Sequence, residues 1–118
     1  MAQQIDSDIP FGTVDSAEAK QMIDSGDYQV IDVRMPNQFA KAHIPDSTLA
    51  PLPELLQKPW EFLAEDKIIF VCEVGQSSQV ACEIAAAMGL EDLYNLGPGI
   101  VGWQQDGYPL EEGLPQEG

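Results

Sequence analysis

Residues 68–89 read IIFVCEVGQSSQVACEIAAAMG, and the fold class follows from the change of pattern inside that stretch. Ile68, Ile69, Phe70, Val71 and Cys72 form a continuous apolar run, rich in β-branched and aromatic side chains, as in a strand covered on both faces. From residue 78 the apolar positions recur at helical spacing, SQVACEIAAAM, and Gly89 supplies a C-terminal stop. A polar, glycine-containing loop joins the two. Strand, tight loop and helix together make the layout of an anion or nucleophile site, because the loop is exposed while both of its flanks are rigid.

The same alternation continues outward. Downstream, residues 93–96 offer another strand and 100–105 a short helix, before an acidic tail with Pro115 that is expected to fray. Upstream, VDSAEAKQMIDSG reads as a helix with Asp15 as N-cap, Glu18 as its capping-box partner and Gly26 as the stop. Tyr28, Val30, Ile31 and Val33 then predict a central strand over 28–33. Pro36 suits the first turn of a short helix through 42, Ile44-Pro45 breaks it, 47–49 is a brief strand, and 51–58 suits a further helix. Trp60, Phe62 and Leu63 are read as core-filling side chains. Strands alternating with helices imply an α/β fold around a mostly parallel sheet. At 118 residues the chain holds one core, and 44% hydrophobic with 21% charged residues is ordinary for a packed protein. A single domain with a core over about 11–110 is therefore expected, and a monomer with it.

Charge and cysteine content narrow the function classes. Twenty acidic residues against five basic ones (Lys20, Arg34, Lys41, Lys58, Lys67) give a formal charge of −15. Nucleic acid and anionic membranes are poor partners for such a surface, and a basic protein is a better one. The field also opposes small anionic substrates, although salt screens it beyond about 8 Å at physiological ionic strength. Solubility, in a salty cytoplasm or elsewhere, is the plainer reading of the same charge. No run of eighteen apolar residues exists, and MAQQIDSDIP lacks the basic and apolar segments of a signal peptide, so a cytoplasmic location is expected. Two cysteines are too few to staple a secreted mini-domain; their role is reactive or merely apolar.

Cys72 is the candidate for chemistry. It ends a strand just before a helix that begins near Ser77 or Ser78, and unpaired N–H groups at a helix start favour the nucleophilic thiolate. Gly75 lets the loop turn tightly, so that the amides from Glu73 through Val74, Gly75, Gln76, Ser77 and Ser78 can form a cradle of donors around an anionic sulfur. The competing reading is that Cys72 simply closes a buried strand, since free cysteine is among the most buried residue types.

Three blocks decide between them. IDVRMPNQFAKAHIPDS carries a D-V-R, x-x-F, H-I-P corner; VCEVGQSS is a cysteine loop; and NLGPGIVGWQQDGYPL is a closing block with W and G-Y-P. In order and spacing these resemble the rhodanese-like domain family of sulfurtransferases over about 11–110. The resemblance implies a three-layer α/β domain with a five-stranded, mainly parallel sheet flanked by helices, and it implies no cofactor. It makes Cys72 the catalytic residue, which takes sulfane sulfur from thiosulfate or a persulfide and passes it to a thiol, cyanide or protein acceptor. It also makes Asp32, Arg34 and His43 structural supports.

Departures from the family pattern carry their own expectations. Many relatives have an arginine at the sixth loop position where this chain has Ser77, and Glu73 stands where a basic or neutral residue is common. Thiosulfate is therefore expected to be a poor substrate, and a non-catalytic interaction module that has kept the fold is the alternative. A phosphatase is excluded because no loop arginine is present to clamp a phosphate. Gln38 and Asp46, where relatives often have glutamate and glycine, are expected to affect a structural corner. One histidine and two cysteines in no ligand-like spacing argue against a metal site. Cys82 is read as a core or semi-exposed thiol instead of a disulfide partner, and Trp103 and Tyr108 as covering the sheet edge.

Overall fold

A computed structural model describes residues 10–114. The elements run β1 (Gly12–Val14), α1 (Ser16–Asp24), β2 (Gln29–Asp32), α2 (Pro36–Lys41), β3 (Thr48–Leu49), α3 (Leu52–Gln57), a 3-10 turn (Pro59–Glu61), β4 (Ile68–Val71), α4 (Ser77–Ala87), β5 (Leu93–Leu96) and α5 (Gly99–Gln105). One five-stranded sheet has the order β1-β5-β4-β2-β3, and all its ladders are parallel. The expected α/β architecture is therefore present. No described helix is long and apolar enough to cross a membrane.

The continuous apolar runs follow from burial on both faces, with residues of alternating parity serving different layers. Ile31, Ile68, Phe70 and Leu93 face a core shared with Leu55 of α3 and Ala81, Cys82 and Ala85 of α4. Val14, Val30, Ile69, Val71, Tyr94 and Leu96 face the other core, with Ala19 of α1 and Ile100 and Trp103 of α5. The middle strand is β4, and β2, expected as a central strand, is an interior one between β4 and the edge strand β3. Both positions are paired on two sides, so their apolar patterns look alike.

Helix α1 begins as expected, with Asp15 Oδ1 accepting from Glu18 N–H at 2.8 Å and Glu18 reaching back to the Asp15 N–H. Strand β1, by contrast, has no counterpart in the strands read from residue pattern: three residues, with Thr13 exposed, give too short an alternation to register. Trp60 departs from expectation as well. It is 65% exposed, because Pro59 opens a tight turn that swings it outward while Leu63, whose N–H bonds Pro59 O at 2.9 Å, enters the core. Trp103 covers a sheet face instead of an edge, its ring against Tyr108 and its Nε1–H donating to Pro109 O at 2.8 Å. Beyond Leu110, Glu111 pairs both backbone groups with His43 and Gly113 N–H bonds Ala40 O, while Pro115 lies outside the described residues.

Candidate active site

The sheet brings its strand ends together at one edge of the core, and the site is assembled there. Register pairs Asp32 with Val71 and Phe70 with Asn95, so Cys72 leaves β4 between the ends of β2 and β5. Cys72 is buried and lines a cleft of about 220 Å³. Glu73 lines the cleft from the loop, Ser77 from the start of α4, Arg34 and Met35 from the end of β2, Gln38 from α2, and Leu52 and Pro53 from α3.

The loop turns back on the sulfur. Gly75 N–H donates to Cys72 Sγ at 3.1 Å, and Ser78 Oγ lies 3.2 Å from the same atom. Gly75 has φ +84°, and a Cβ there would collide with the carbonyl oxygen of Gly97, so only glycine fits. Gly99 has φ +68°, and its missing Cβ leaves room for the carbonyl of Glu73. The first amides of α5 complete the clasp: Ile100 N–H bonds Cys72 O at 2.9 Å and Val101 N–H bonds Glu73 O at 3.2 Å. The two strand-to-helix loops are thus locked together by backbone contacts.

Charge at the cleft is organised around Arg34. Its guanidinium holds both oxygens of Asp32 at 2.8–3.1 Å, donates to Ala42 O at 2.7 Å, and reaches Glu73 Oε1 at 3.4 Å. Burial opposes its charge, but the hydrogen bonds and charge of Asp32, with those of Glu73, prevail and raise its pKa. Asp32 neutralises this cation inside the protein, so Glu73, with its side chain 50% exposed, leaves the group with an acidic excess at the mouth.

Other residues singled out by pattern occupy different places. Val74 and Gln76 are exposed and give the loop their backbone; Gln76 precedes α4 without a side-chain cap. Ser77 faces the cleft, while Ser78 is buried against the sulfur. His43 is apart, at the corner after α2: it stacks on Phe39 with centroids 3.8 Å apart and its Nδ1 lies 2.9 Å from Phe39 O. At the same corner Asp46 adopts φ +66°, and Gln38 Oε1 accepts from Met35 N–H at 3.1 Å. Cys82 is a free, buried thiol, its pKa pushed up by burial first and then by the charges of Glu83 and Cys72.

One contributor escaped the pattern reading. Asn95 is 1% exposed in β5; its Oδ1 accepts from Ser78 Oγ–H and its Nδ2–H donates to Gly75 O at 3.0 Å. The available signal was a polar residue inside the apolar run LYNL, since a buried amide must find partners.

Known proteins resemble this chain in sequence and fold. Residues 15–106 match the rhodanese-like domain family. The chain is 30% identical over 94 residues to a protein named thiosulfate sulfurtransferase GlpE from Pseudoalteromonas translucida, covering 80% of this chain and 90% of that one. It is 28% identical to a sulfurtransferase of Allochromatium vinosum, over 82% of this chain and 92% of the relative. A crystal structure of a rhodanese-related protein from Thermoplasma volcanium superposes with a TM-score of 0.75 at 31% identity, over 84% of this chain and 96% of the other. With the family match running from the start of α1 to the end of α5, the chain belongs to the rhodanese-like domain family.

Proposed function

We propose that this protein is a sulfurtransferase that carries sulfane sulfur as a persulfide on Cys72. The observation that carries the reading is the sulfur itself: Cys72 lines a cleft, and its Sγ lies between a Gly75 N–H at 3.1 Å and the Ser78 hydroxyl at 3.2 Å. Relatives named as sulfurtransferases support the reaction class.

The thiolate of Cys72 attacks the outer sulfur of a donor. With thiosulfate, a new S–S bond forms to Cys72, the donor's own S–S bond breaks, and sulfite leaves with the electron pair. The persulfide anion then sits where loop amides can stabilise it. Cyanide or a thiolate attacks its outer sulfur, leaving as thiocyanate or a new persulfide, and Cys72 returns as the thiolate. No external oxidant or reductant enters this cycle.

Thiosulfate is a weak donor in this reading. A unit charge about 6 Å away at an effective dielectric near 20 is worth on the order of 3 kcal/mol. Glu73 is half exposed and shares the Arg34 cation, so its effect is well below that, a several-fold loss of affinity. A thiol or a basic protein suits the acceptor role better than an anion does.

The test is intact-mass measurement after incubation with thiosulfate, mercaptopyruvate or a persulfidated protein. One added sulfur atom, removed by cyanide or dithiothreitol and absent in Cys72→Ser, is expected. Glu73, paired with Arg34, and the absence of a loop arginine favour a second reading, a binding module without turnover; no labile sulfur from any of the three donors would overturn sulfur transfer and leave that reading.

A further inference from the structure

The direction of the hydrogen bonds around Asn95 can be worked out atom by atom. Gly75 O has no hydrogen, so the Asn95 amide end 3.0 Å away must be its NH₂ group. That orientation turns Oδ1 toward Ser78 Oγ, and Oδ1 can only accept. A serine hydroxyl has one hydrogen, and here it is committed to Asn95. The same oxygen, 3.2 Å from Cys72 Sγ, therefore meets the sulfur with a lone pair. In that state it accepts from a Cys72 S–H and offers nothing to a thiolate.

We propose that Ser78 and Asn95 form a two-position hydroxyl hydrogen coupled to the charge on Cys72, and that Asn95 is a positioning residue that restrains formation of the anion. While the sulfur is a thiol, the hydrogen points to Asn95 Oδ1. When the thiol proton leaves to water, the Ser78 hydroxyl rotates about its Cβ–Oγ bond and donates to Sγ, and Asn95 Oδ1 is left without its donor inside the protein. No covalent bond changes in the rotation. Ser78 thus favours the anion and Asn95 opposes it, although the two belong to one hydrogen-bond chain. The persulfide draws on the same donor, so sulfur loading and unloading are coupled to the rotation.

The other groups around the sulfur are common to all variants below. They are the Arg34–Asp32 pair at the end of β2, Glu73 in the loop and Cys82 on α4, which burial keeps as a thiol; β5 presents the neutral Asn95. The consequence for turnover rests on Cys72 being the sulfur carrier, but the test reads the free thiol and stands apart from sulfur transfer.

The experiment is the pH dependence of Cys72 alkylation by iodoacetamide, with the adduct located by mass. Asn95→Leu should lower the midpoint by roughly half to one pH unit, a three- to tenfold gain in thiolate. Ser78→Ala should raise it by a similar amount, and the double variant should behave as Ser78→Ala, since Asn95 acts only through that hydroxyl. Gln79→Ala separates this from simple loop anchoring: it removes the other side-chain amide on Gly75 O, at 3.1 Å, and leaves the Ser78–Asn95 contact intact. If Asn95 merely anchors the loop, Asn95→Leu and Gln79→Ala shift the midpoint upward together, and the proposal fails. It also fails if Ser78→Ala leaves the midpoint unchanged or lowers it. Asn95→Val replaces Asn95→Leu should the larger side chain prevent folding.

Discussion

Each of the two thiols meets a different environment although both are buried. Cys82 lies among Ala81, Ala85 and Leu93, where nothing supports a negative charge, and burial pushes its pKa up from the ordinary 9.0. The unfolded chain releases this proton as the pH passes 9.0 and the folded chain keeps it, so folding binds the extra proton and stability falls as pH rises. The loss approaches about 1.4 kcal/mol per pH unit above that point, and buried Tyr94 adds to it above its own ordinary 10.0. Urea midpoints taken between about pH 8 and about pH 10 should fall less steeply in Cys82→Ala than in the parent; equal slopes would refute the assignment to Cys82. Asp46 makes an independent case. With φ +66° it occupies backbone space that favours glycine, so Asp46→Gly is expected to stabilise the protein by a few tenths to about 1 kcal/mol despite glycine's larger unfolded entropy. A urea midpoint that falls instead would mean the aspartate contributes contacts that outweigh the strain. At Glu73, replacement by arginine should improve turnover of thiosulfate at low salt, because it adds a cation at the mouth and removes the carboxylate facing Arg34. Unchanged turnover would place that side chain's charge outside the path of the donor.

The elements that hold the site differ in how much of them pattern reveals. The β4–loop–α4 unit is legible because a continuous apolar run, a glycine and a helical period follow one another within 22 residues, and each signal has one structural meaning. The corner at residues 43–46 is legible as a break because Ile44-Pro45 cannot continue a helix. What pattern cannot show is contact between loops distant in sequence. That Gly75 packs on Gly97 and Gly99 on Glu73 O follows from parallel β4–β5 pairing, which no local signal encodes. Asn95 was hidden for the same reason, its partners lying 17 and 20 residues away. Trp60 misled because size and apolarity predict burial only on average, and a proline turn decided its direction. The clasp makes its own prediction. Gly99→Ala puts a methyl group into Glu73 O at a left-handed φ and should cost about 1–3 kcal/mol while displacing the cysteine loop. Both urea stability and persulfide formation should fall, whereas Gly89→Ala, also at positive φ but with open space around it, should lower stability and leave the cysteine chemistry intact. Equal loss of persulfide in the two variants would remove the clasp from the account.

At the scale of the molecule, the sign of the charge sets the terms on which partners arrive. Of the five basic residues, Arg34 is buried against Asp32, and Lys20, Lys58 and Lys67 lie within 4 Å of Asp24, Glu61 and Asp92. Four of the five cations are therefore spent locally, Lys41 being the exception, and the net charge of −15 acts outward. The described residues span 38 × 32 × 24 Å. The screening length is about 30 Å at 0.01 M salt and about 3 Å at 1 M, so an approaching donor feels the whole surface in the first case and only the cleft mouth in the second. Raising the salt across that range should increase the second-order rate of persulfide formation from thiosulfate, leave that for an uncharged persulfide donor little changed, and slow transfer to a basic acceptor protein. Glu73→Gln separates the local from the global part. At low salt its advantage over the parent is small beside the remaining field, and at high salt, where only nearby charge counts, its residual advantage measures Glu73 itself. A thiosulfate rate that falls with salt would show that a positive path guides the anion to Cys72 despite the net charge, and the expectation of weak thiosulfate activity would fall with it.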